Sequence, residues 1–126
     1  YATQLSFVGL ATPERVYDSR AGGIKLSPSE TRDIALFSGV DSAIPVYAVQ
    51  VVITVTETNQ AGYLTAHATG TRVPATSTIN WTAPDSSVAM GTVVNIDATG
   101  HLAITAGPSA NTHVIIDIVG FYLVPL

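Results

Sequence analysis

Apolar and polar residues alternate along most of this chain, and nowhere do apolar positions fall at the i, i+3, i+4, i+7 spacing of an amphipathic helix. The clearest run is Val46 to Glu57. There Tyr47, Val49, Val51, Ile53 and Val55 predict a core face, while Val46, Ala48, Gln50, Val52, Thr54 and Thr56 form a half-apolar face suited to a covered or solvated sheet surface. Asn59-Gln60-Ala61-Gly62 breaks the run, and Tyr63 to Ala68 reads as the second strand of a hairpin. Further strands are expected over Ser77 to Thr82, Val88 to Asp97, His101 to Ala106 and His113 to Val124. The turns Ala83-Pro84-Asp85, Ala98-Thr99-Gly100 and Gly107-Pro108-Ser109 separate them. In Val88 to Asp97 the residues Val88, Met90, Val94 and Ile96 share a face, which predicts a central strand. The N-terminal third is less regular, with strands expected over Gln4 to Leu10 and Thr31 to Phe37 and a long loop over Asp18 to Ser29. Eight or nine short strands predict an all-β, single-domain antiparallel β-sandwich over residues 1–126. A jelly roll is preferred to an immunoglobulin-like order.

Composition narrows the function classes. The 126 residues suffice for one core and are too few for two. At 47% hydrophobic and 11% charged, against about 25% charged in a typical domain, the chain is too apolar for disorder and poor in surface charge. A net charge of −4 has the wrong sign for neutralising phosphates, so no nucleic-acid partner is expected. With no cysteine, disulfides, thiolate zinc sites and cysteine nucleophiles drop out. The longest apolar run, Val114 to Val124, is broken by Asp117 and Gly120 and falls short of a helical span, so no membrane insertion is expected. The start at Tyr1, with no basic stretch and apolar run after it, suggests a mature or excised piece.

Charge is concentrated rather than scattered. Arg15, Arg20, Lys25 and Arg32 lie near Glu14, Asp18, Glu30 and Asp33, and Arg72 is the only later base. In an extended Arg15-Val16-Tyr17-Asp18-Ser19-Arg20 segment, Asp18 and Arg20 project to one face and Arg15 and Tyr17 to the other. Asp117 sits inside Val114-Ile115-Ile116-Asp117-Ile118-Val119, sharing a face with Ile115, Val119 and Phe121. A carboxylate among such neighbours persists only if paired or hydrogen-bonded, so Asp117 is expected to pair with Arg20 or Arg15 and fix the last strand against the first loop. On that reading Asp117→Ala lowers the melting temperature sharply. A metal or acid/base site made by Asp117 and His113 is the weaker alternative, because two ligands four residues apart on a strand are about 13 Å apart.

No nucleophile elbow, zinc-protease helix, phosphate loop or calcium loop is present. His67, His101 and His113 are isolated in sequence and read as strand-face residues. Trp81, the single tryptophan, is either a core anchor or an exposed contact, and Asn80-Trp81-Thr82 matches a common glycosylation acceptor pattern. No catalytic residue, metal or cofactor is expected.

Five segments stand in order: Arg15 to Arg20, Ala48 to Thr56, Gly62 to Ala66, Pro74 to Trp81 and Thr112 to Tyr122. Together they resemble a recurrent all-β module of secreted and cell-surface proteins of actinobacteria and of virion proteins of phages that infect them. The chain departs from that pattern at Gln50-Val51-Val52-Ile53 and at Ala89-Met90. The resemblance implies a non-catalytic extracellular module for display, adhesion or virion decoration. Two readings follow. One is a structural protein on a virion surface, a capsid decoration or tail-surface domain. It would be assembled as a homo-oligomer, a trimer by preference, or with other virion proteins, through an apolar tail of Phe121, Tyr122, Leu123 and Leu126. The other is a secreted or cell-surface recognition module that binds a glycan or a protein, with Tyr63, Trp81 and Arg32 as contacts.

Overall fold

The computed structural model describes residues 6–36, 46–97 and 99–124. Along the chain run β1 (Ser6–Asp18), α1 (Ser19–Gly22), β2 (Thr31–Ala35), β3 (Val46–Thr56), β4 (Gly62–Ala68), β5 (Ile79–Trp81), β6 (Val88–Asn95), β7 (His101–Ala106) and β8 (His113–Leu123). They form two antiparallel sheets, ordered β1-β8-β3-β6 and β2-β7-β4-β5. Every connection except β4 to β5 passes from one sheet to the other, and this nesting is a jelly roll.

Alternation along the two central strands builds the core. Val49, Val51, Ile53 and Val55 of β3 and Val114, Ile116 and Ile118 of β8 are fully buried. They face Leu64 of β4 and Leu102 and Ile104 of β7, with Ile79 of β5 beside them. Leu26, in the expected loop, is equally buried and forms an isolated antiparallel bridge with Thr112.

Several local expectations are corrected. The hairpin between β3 and β4 does not form: β3 is bonded to β6 on one side and β8 on the other, so no edge is left for β4. β6 is an edge strand rather than a central one, and Met90 is exposed, because the three-residue β5 covers only part of that side. Tyr47 falls at a register shift between Val46 and Ala48 and is exposed rather than in the core. β1 continues to Asp18, past the expected end at Leu10, absorbing Pro13 in a register shift between Gly9 and Glu14. Gln4, Leu5, Phe37 and Ala98 of the expected strands and turns lie outside the described residues.

Trp81 anchors one end of the core. It is buried, its indole N–H donates to the Gln60 carbonyl at 2.7 Å, and it pairs in register with Gly62. A Cβ on Gly62 would lie 2.9 Å from Trp81 Cζ2 and 3.1 Å from the Ala110 Cα, and the second of these is backbone that cannot swing aside. Gly62→Ala is therefore expected to destabilise the fold by about 1–3 kcal/mol through overpacking, read as a lower midpoint in chemical unfolding.

Candidate functional site

The charged residues gather where β1 ends and α1 begins. The β1–β8 ladder pairs Arg15 with Asp117, then shifts register so that Tyr17 faces Ile116 and Asp18 faces Ile115. That one-residue bulge at Val16 reverses the expected alternation, leaving Arg15 and Asp18 on one face and turning Tyr17 against the core. A chain of ion pairs results. Arg15 Nε donates to Asp117 at 2.9 Å, Arg15 lies 3.9 Å from Asp18, and Arg20 Nη2 donates to Asp18 at 2.8 Å. Asp18 also caps α1 by accepting the Arg20 backbone N–H at 3.0 Å.

Asp117 thus takes Arg15 rather than Arg20 as its partner, and its surroundings differ from those expected. It lies opposite Val52 on the outer face of its sheet, and Arg15 is half exposed. A second shift, with Gln50 opposite Gly120 and Val51 opposite Ile118, separates Phe121 from that face and turns it towards Val49 and the core. The pair is an outer-surface one that solvent screens, so a small loss of melting temperature is expected of Asp117→Ala in place of the sharp one.

Beside this chain of charges is a cleft of about 450 Å³ lined by Tyr17, Asp18, Ser19, Gly22, Ile24, Glu30 and Arg32. Arg32 is its organising residue. Its Nε donates to Glu30 at 2.6 Å, Nη1 to the Tyr17 hydroxyl and the Ile24 carbonyl, and Nη2 to the Lys25 carbonyl and Glu30. All five guanidinium donors are engaged inside the protein, so Arg32 ties the 24–30 segment to β1 instead of meeting a ligand. The sequence places Glu30 and Tyr17 in the charged segment without marking either as a partner of Arg32. The signal for Glu30 was its position two residues before Arg32, on the same face of an extended segment.

Ser19 forms the floor. Its Oγ accepts the Val114 N–H at 2.8 Å and lies 2.9 Å from His113 Nδ1, and both side chains are buried. This contact fastens α1 to β8 and gives His113 a structural partner away from Asp117. The other histidines lie apart: His67 contacts Thr105 at 2.9 Å and Thr71 at 3.2 Å, and His101 contacts Thr99 at 2.9 Å. Among the described residues no three of His, Cys, Asp or Glu gather as a metal-ligand set.

Of the expected ligand contacts, Trp81 is buried in the core and unavailable, Arg32 is saturated, and Tyr63 is exposed, with its ring lying over Gly107. Phe121, Tyr122 and Leu123 are partly buried, and Leu126 lies outside the described residues. Phe7, which no sequence signal marked directly, is exposed and sits 5.0 Å from the Tyr122 ring. It lies so closely over Gly120 that a Cβ there would clash with it; the glycine inside a strand pattern was the available sign of such an approach. Comparison with protein-family models, with curated proteins and with solved structures gives no match.

The Arg20 hydrogen bond pulls the Asp18 carboxyl from 3.8 down to about 2. A carboxylate depressed in this way stabilises the fold fully above its ordinary value and loses that contribution as pH falls towards 2. Asp18→Asn, which keeps the α1 cap, is expected to lower the melting temperature at pH 5 and to flatten its decline between pH 4 and 2, as thermal melts across that range would register. Arg32→Lys leaves two carbonyls and the Tyr17 hydroxyl without their donor. It is expected to cost about 1–3 kcal/mol in unfolding free energy, more than Arg15→Lys in the same denaturant titration.

Proposed function

We propose that this chain is a non-enzymatic structural module of a virion surface, which works by packing against copies of itself. The observation that carries the reading is the outer face of the β1-β8-β3-β6 sheet. Four cross-strand rows can be traced on it: Phe7, Tyr122, Ala48 and Asn95; Gly9, Gly120, Gln50 and Val93; Arg15, Asp117, Val52 and Gly91; Asp18, Ile115, Thr54 and Ala89. Charge is confined to the β1 side, and β3 and β6 carry no charged residue. Glycine at positions 9, 91 and 120 keeps the relief low, while Phe7 is 52% and Val93 48% exposed. A surface that is uncharged and apolar-flecked across β3 and β6, with its charges paired off on the β1 side, is what a subunit contact covers, and a jelly roll supplies it on a rigid scaffold. The recognition reading has less support, since Trp81 and Arg32 are both occupied inside the fold.

Light scattering of the purified chain over a range of concentrations tests the proposal. The expected result is a closed oligomer whose mass does not vary with concentration. A mass of 13.1 kDa at every concentration would sink it.

A further inference from the structure

Among the described residues the two sheets present four edges, and three are guarded. β1 is interrupted by two register shifts and carries Pro13 and the ion-pair chain, β2 has five residues with Arg32 and Asp33 among them, and β5 has three residues. β6 is different. It runs eight residues, Val88-Ala89-Met90-Gly91-Thr92-Val93-Val94-Asn95, without proline or charge, and its ladder to β3 has no register shift. Short strands, charges, prolines and bulges are the devices that keep an edge from pairing, and β6 has none of them.

The backbone groups that β6 offers can be identified. Continuing the β3–β6 register, Ile96 donates its N–H to the Tyr47 carbonyl at 3.3 Å. In an unbroken antiparallel ladder alternate residues face the partner, so Val88, Met90, Thr92 and Val94 spend their N–H and C=O groups on β3. Ala89, Gly91, Val93 and Asn95 turn theirs away from the sheet, and all four residues are exposed.

Resting on the oligomer reading above, we infer that β6 pairs antiparallel with β6 of a second copy, about a two-fold axis at Thr92, joining two four-stranded sheets into one of eight. In this register Gly91 meets Val93 of the other copy and Ala89 meets its Asn95, so every outward-facing residue exchanges both backbone bonds. The exposed Val93 side chain settles beside a glycine, where there is room for it. A second copy is the occupant because the strand is neutral throughout, so no position sets like charges against each other, and because two identical edges satisfy each other completely. A two-fold contact gives dimers or assemblies built from them, in place of the trimer expected from the sequence.

Two variants of the full chain test this by light scattering. Val93→Pro removes an outward N–H and leaves the bonds to β3 intact, and Val93→Lys keeps the backbone and places a charge on the edge. The expected result is a wild-type mass of twice 13.1 kDa, or an even multiple, falling in both variants while their melting temperatures stay close to wild type. Should Val93→Pro fail to fold, Ala89→Pro, which removes another outward N–H and puts no charge on the outer face, takes its place. A wild-type trimer, or an oligomer that neither variant shifts, overturns the β6 pairing and leaves the oligomer reading standing. A wild-type monomer at every concentration overturns both and frees the edge for a strand from another protein.

Discussion

The register between β3 and β8 is the constraint on which the rest of the molecule depends. These two strands supply most of the fully buried branched residues, and each is flanked on both sides. Because side chains alternate across a sheet, a slip of one residue would carry either Val51 and Ile53 or Ile116 and Ile118 to the surface together. The shift at Val119 reverses the faces beyond it and so delivers Phe121 to the core and Gly120 to the surface beneath Phe7. Both the outer-face contact of Phe7 with Tyr122 and the position of Asp117 opposite Arg15 follow from where that shift occurs.

The segment from β1 to β2 is attached to this frame by polar bonds as much as by packing. Most of β1 is exposed, and its ion pairs with Asp117 and Arg20 are individually weak at the surface. What holds the segment is the less exposed set: Arg32 bonded to Glu30, Tyr17 and two carbonyls, and Ser19 bonded to His113 and Val114. Charged residues that looked like a contact surface in the one-dimensional chain are spent on joining a loop to an edge. The surface left over is neutral and low in relief, which is the property the functional proposal uses.

The all-β class, the single sandwich and most strand centres were legible because period-two alternation is a local signal. Pairing was not, since no local feature distinguishes a loop that returns along the same sheet from one that crosses to the other; the Asn59 to Gly62 connection is the example. Bulges were equally hidden. One extra residue at Val16 decided which of Arg15, Tyr17 and Asp18 share a face, and another at Val119 decided where Phe121 points, yet neither residue type marks a bulge. Of the charged cluster, the membership of Arg15, Asp18, Arg20 and Asp117 was readable and their pairing was half right. The role of Arg32 was out of reach, because its partners Tyr17 and Ile24 meet it only in three dimensions.

The strand order also has a consequence for how the protein is made. β8, the last strand described, lies between β1 and β3, and Arg15 and Asp117 are 102 positions apart in the chain. Until β8 leaves the ribosome, β1 lacks its partner and β3 has one open side. The nascent chain therefore carries unpaired strands until β8 emerges, and the β1-β8-β3-β6 sheet assembles only then.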